Sequence, residues 1–147
     1  MKQLIHKNMK IKILRDSRVG EIKKQFNTKY PFLKLEFLTR RRLPKGPEKQ
    51  ILVSDNRKLS EIKSDFKEGA ILVSDSTTVN ELEGFFRNHL LDVQVFRRSN
   101  DLWLETTMTD SWSLVKQNSH GKEITESRHA SRAQSRFDNE ELSDIAQ

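Results

Sequence analysis

The chain of 147 residues contains no cysteine. Disulfides, thiolate metal sites and thiol catalysis are thereby excluded, and the composition is compatible with the cytoplasm. The five glycines, Gly20, Gly46, Gly69, Gly84 and Gly121, are isolated, and none belongs to a GxGxxG or GxxxxGK pattern, so the common phosphate loops are absent. The four histidines, His6, His89, His120 and His129, lack the spacing of metal ligands. No GxSxG elbow or SxxK pair accompanies the serines. Lysines interrupt every apolar run of the opening MKQLIHKNMKIKILRD, which reads neither as a signal peptide nor as a membrane span. Aromatic residues make up only 7%, and no strand carries the aromatic set that stacks bases in RNA-binding sheets. The expectation is a non-enzymatic cytoplasmic protein with no cofactor, no metal and no membrane partner.

What the chain has in quantity is charge, unevenly distributed. Residues 1–67 carry 19 Lys/Arg against 7 Asp/Glu, a net of +12, whereas residues 68–110 carry 3 against 8, a net of −5. Residues 111–147 are close to balanced, at −1. Opposite charges on different faces would favour head-to-tail association, which builds rings or fibres.

The pentapeptide ILVSD occurs twice, at Ile51–Asp55 and Ile71–Asp75, and the likeness continues downstream as ILVSDNRKLSEIKSDF against ILVSDSTTVNELEGFF. A third version, ILRDSRVGEIKKQF, places Val19, Glu21, Ile22 and Phe26 on the same template as Val79, Glu81, Leu82 and Phe86. Each begins strand-like and continues with apolar residues at i, i+3 and i+7, one face of a helix. Asp16/Ser17 and Ser76/Thr77 stand where N-caps are wanted, and Glu21, Glu61 and Glu81 suit a capping box rather than a carboxylate site. Asp55 and Asp75 read as turn residues.

The first and third copies extend further, into the alternating strands YPFLKLEFLTRR and HLLDVQVFRRS; in that alignment Arg40 falls on Arg98. Two tandem βαβ units, at about 9–40 and 70–99, predict an α+β fold, a ferredoxin-like βαββαβ sandwich with helices on one face of an antiparallel sheet. Its strands are Met9–Leu14, Leu33–Thr39, Ala70–Ser74 and Asp92–Arg98, with LWLETTM added as an edge strand by a turn at Ser99-Asn100-Asp101. The middle copy reads as a connector with a helix of about two turns, and Ile51–Ser54 as a short extra strand of open position.

DSWSLVKQNSHG predicts a short helix capped by Asp110 or Ser111, burying Trp112 with Leu114 or Val115, and ending near Gly121. One domain thus covers residues 1–121. Residues 122–147, poor in large apolar side chains, read as a mobile tail, plainly solvated rather than docked, with Phe137, Leu142 and Ile145 as the alternative of a docking motif.

Two sets of side chains are candidates for contact. Arg40, Arg41, Arg42, Lys45 and Lys49 flank a Pro/Gly-punctuated loop, and with Arg97 and Arg98 they could hold phosphate, most commonly that of nucleic acid. Trp103 alternates with Leu102 and Leu104, so either the tryptophan or the leucines face the core; placed outside, Trp103 would anchor a protein partner. The reading is an interaction or assembly module acting through an edge strand, the tail or self-association. The alternative is a nucleic-acid-binding accessory protein using the basic loop.

Overall fold

In Met9–Ile13 (β1) buried Met9, Ile11 and Ile13 alternate with exposed Lys10 and Lys12, the signature of a strand with one wet face. A computed structural model describes residues 8–127. After β1 come α1 (Val19–Lys29), β2 (Leu33–Arg41), β3 (Lys49–Leu52), α2 (Leu59–Ile62), β4 (Gly69–Val73), α3 (Val79–Asn88), β5 (Asp92–Ser99) and β6 (Leu102–Glu105). A 3₁₀ turn at Thr107–Thr109 leads to a last helix, α4, followed here over residues 114–127. The fold is mixed α/β, as expected, with the four main strands within two residues of their expected limits. Phe137, Leu142 and Ile145 lie outside the described residues.

The strands form two antiparallel sheets rather than the single sheet of the expected sandwich: β1–β4, and β3-β2-β5-β6. The cause is the segment whose position the sequence left open. Lys49–Leu52 folds back on β2 with Leu38 opposite Leu52, taking one edge of β2, and β6 takes the corresponding edge of β5. The remaining edges of β2 and β5 then pair with each other, leaving β1 to pair with β4. Both sheets and both long helices contribute to one core, including Ile11, Ile71, Phe26, Leu35, Phe86 and Val95.

The chain is thus two tandem βαββα units related by an approximate two-fold axis. In the small sheet Ile11 lies opposite Ile71, the residue it matches in the repeat; in the large sheet Glu36 lies opposite Gln94, matched by the alignment that equates Arg40 with Arg98. The middle copy of the motif is not a connector, and there is a fourth copy, at Asp110–Leu114. The turns meet in pairs: Arg18 bridges Lys58, and Thr78 bridges Ser113. The Val19 and Gly20 N–H groups donate to Arg57 and Asp55 carbonyls at 2.9 and 2.8 Å, while Leu59 and Ser60 donate back to Ser17 and Arg15. Four equivalent bonds join Val79, Asn80, Leu114 and Val115 to Trp112, Asp110, Thr77 and Asp75. Free N–H groups at each helix start are therefore satisfied by the other turn's carbonyls.

This exchange explains why the expected caps are displaced. Ser17 and Thr77 brace their own turns, accepting from Leu14 and Ser74 N–H groups at 3.1 and 3.0 Å. Thr78 is the side-chain cap of α3, in a capping box with Glu81, and Arg18, at the start of α1, makes no side-chain cap. Gly20 is required by the close approach of the turns, because a Cβ there would lie 2.9 Å from Asp55 Cβ.

Equivalent positions have diverged in charge. Lys23 on α1 donates to Glu36 at 3.0 Å and Asp55 at 2.7 Å; burial pulls its pKa down, but these two carboxylates outweigh it and the net shift is upward. Glu83, its counterpart on α3, is pushed up, chiefly by burial and also by Asp110, against the opposing pull of Arg87 and the Val95 backbone. A raised carboxyl pKa means that the folded protein disfavours the ionised form. Stability is then lost as the pH rises through the folded-state value. Glu83→Gln is expected to raise the thermal midpoint at pH 7, with the gain disappearing below the ordinary value of 4.5, as checked by melts between pH 3 and 8.

Candidate interaction site

The two halves differ most beyond their second turn. In the second half α4 continues from Leu114 through Gly121 to residue 127, past the point where the sequence suggested an end. Its buried stripe of Leu114, Gln117, Gly121 and Thr125 follows helical spacing. Val115, the alternative to Leu114, is 44% exposed. Gly121 allows close packing, since a Cβ there would lie 3.0 Å from Arg97 Cγ and 3.1 Å from both Arg98 O and Phe32 Cβ. Asn118 Oδ1 accepts the Phe32 N–H at 2.8 Å, and Thr125 Oγ1 accepts that of Asn100 at 3.2 Å.

In the first half α2 ends after one turn, at Ile62, the counterpart of Gln117. The chain turns extended at Lys63 and proceeds to β4, which starts at Gly69 with φ +158. Among the described residues no equivalent of Gly121 or Thr125 then covers the end of β2. What remains is an open groove of about 410 Å³ bordered by Arg40, Arg41, Ile51, Leu52, Arg57 and Ile62. A second hollow, of about 320 Å³, shares Thr39, Arg40 and Ile62 with it and extends to Leu90. Leu90 matches Phe32, against which Gly121 packs in the other half.

The basic loop borders this groove. Arg40 and Arg42 share Glu48, at 3.9 and 3.5 Å, and Arg57 lies 3.6 Å from Glu61. Arg41, Lys45 and Lys49 have no ion pair among the described residues. On the floor Ile51 is 36% exposed, whereas Leu52, its strand neighbour, points to the other face with Arg40, so the site combines Arg41 and Arg57 with a small uncovered apolar surface.

Arg97 and Arg98 do not join the cluster. The strands they end are antiparallel, so equivalent ends lie at opposite ends of the sheet: Arg98 N–H bonds Phe32 O at the start of β2, eight residues from Arg40. At 3.3 Å per residue the separation is ~26 Å. Arg97 is engaged internally, donating to Gln117 Oε1 at 2.7 Å with its guanidinium 5.6 Å from the Trp112 ring; burial pulls its pKa down. Arg98 Nε donates to the Asn100 carbonyl at 3.0 Å.

Trp103 lies on the opposite sheet face, half-buried, with the Lys34 ammonium 5.1 Å from its ring and 5.4 Å from that of Phe96. Leu102 and Leu104 are 65% and 42% exposed, so neither alternative for this strand supplies core. Ile51, Leu52, Arg57 and Ile62 were not singled out from sequence. Their signal was the early break of the middle helix before Gly69, which leaves adjacent surface without a cover.

The arrangement defines a pseudo-symmetric α/β protein with one half closed by a helix and the other open. Comparison with protein-family models, curated proteins and solved structures gives no match. No described helix is long and apolar enough to cross a membrane.

Proposed function

We propose that the protein is a non-enzymatic interaction module whose contact surface is the groove between β3 and α2, and that its ligand is an acidic amphipathic protein segment. One observation carries this reading: around Arg97, Arg98 and Phe32 the second half is covered by α4, whereas the matching Thr39, Arg40 and Leu90 of the first half border open hollows, with Ile51 and Ile62 beside them and arginines at the rim. Helix-in-groove recognition needs these features, with apolar contact for affinity and charge for orientation. The arginines at the rim match carboxylates geometrically, as they also match phosphates.

The second reading, nucleic-acid binding, is supported by Arg41, Lys45 and Lys49, which have no ion pair among the described residues. It is weakened by Glu48, which lies among the cations, and by the placement of Arg97 and Arg98 far from them. Fluorescence anisotropy with a labelled acidic amphipathic peptide, a basic counterpart and single- and double-stranded oligonucleotides tests both readings. The acidic peptide is expected to bind, and Arg41→Glu/Arg57→Glu to weaken it by about tenfold or more. Preferential oligonucleotide binding, falling steeply with salt and abolished by Arg40–Arg42 replacement, would establish the second reading instead.

A further inference from the structure

Resting on that reading, we infer that the occupant of the groove is residues 137–145 of a second copy of this chain. The sequence FDNEELSDI holds four acids, Asp138, Glu140, Glu141 and Asp144, and no base, in a protein whose net charge is +6. Its apolar residues Phe137, Leu142 and Ile145 fall within a 140° arc at 100° per residue, an arc they share with Asp138 and Glu141, so a helical form would present apolar and acidic side chains together on one side. The groove offers a complement: Ile51 and Ile62 below, and Arg41 and Arg57 around them, with Glu61 3.6 Å from Arg57.

Chain length favours a neighbour as the source of the segment, because the chain's own groove lies at the limit of Phe137's reach. Thr125 is fixed beside Asn100, beyond the end of the sheet at which Arg98 meets Phe32. Going back to Arg40 covers about ten residues of strand, or ~33 Å. The ten residues from 127 to 137 span at most ~36 Å when fully extended. Reaching its own groove would demand an almost straight path past the folded domain. Reaching another copy's groove carries no such requirement. The contact joins two different surfaces and so repeats from copy to copy, closing when the geometry forms a ring or a reciprocal pair.

Sedimentation equilibrium of the full chain at low salt tests the inference with three variants. The groove variant is Arg41→Glu/Arg57→Glu, the tail variant is Glu140→Lys/Glu141→Lys/Asp144→Lys, and the third combines both. The wild type is expected to associate, either single set to weaken association by about tenfold or more, and the combined chain to recover most of the loss, because reversed charges again face each other. The substituted groove residues are at the surface, and circular dichroism verifies folding; the tail set leaves the described domain unaltered. A monomeric wild type, association indifferent to both sets, or no recovery in the combined chain overturns the inference. So does a cysteine cross-link between positions 51 and 142 that forms within monomers. If copies fail to associate while the acidic peptide still binds the groove, this inference fails and the functional reading stands; if the peptide also fails, both fall.

Discussion

Replacing Phe86 by alanine is expected to cost about 3–5 kcal/mol of unfolding free energy, the range for removing a buried phenylalanine. Phe86 is fully buried on α3, and its ring meets that of Phe37 on β2 edge-on, with centroids 5.6 Å apart. The contact crosses between the halves. Its loss therefore removes both core volume and an aromatic pairing that links the two units. Urea titration should show a lower midpoint at an unchanged slope, which separates lost stability from a changed unfolded state. A loss under 1 kcal/mol would mean that the pair does not join the halves as described.

Gly121→Val is expected to cost about 1–3 kcal/mol by overpacking, with more added by the loss of helix cover. The obstructing atoms are a strand carbonyl, Arg98 O, and the Cβ of Phe32, neither of which is the yielding tip of a long side chain. α4 must move away from the sheet, taking with it Gln117, whose amide donates to Thr109 O at 2.6 Å and whose carbonyl accepts from Arg97. Hydrogen exchange should locate the change. Amides at residues 114–127 and at the end of β5 are expected to lose protection, while those of β1 and β4 keep theirs.

Periodicity made the regular elements legible because each of the four main strands and two long helices buries one face. Lys49–Leu52 was harder to place. All its side chains are exposed, so its position depends on hydrogen bonds to β2 rather than on burial. The fourth turn was missed for a related reason: its partner is fixed by main-chain N–H and carbonyl groups, which permit Asp110-Ser111-Trp112-Ser113 to do what Asp55-Asn56-Arg57-Lys58 does. The basic loop was visible as composition. Which of its cations share a surface depended on strand direction, and antiparallel pairing carried Arg97 and Arg98 to the far end.

The approximate two-fold axis has a consequence for how the halves specialise. In a symmetric dimer of identical chains every substitution occurs twice, so a groove on one protomer must be a groove on both and a lysine at one site a lysine at its mate. A single chain that contains both halves is free of this rule. Lys23 can face Asp55 while Glu83 occupies the matching place near Asp110, and one unit can keep a helix over its sheet while the other leaves that surface bare. Covalent linkage lets one half keep its surface covered while the other leaves the matching strand end open.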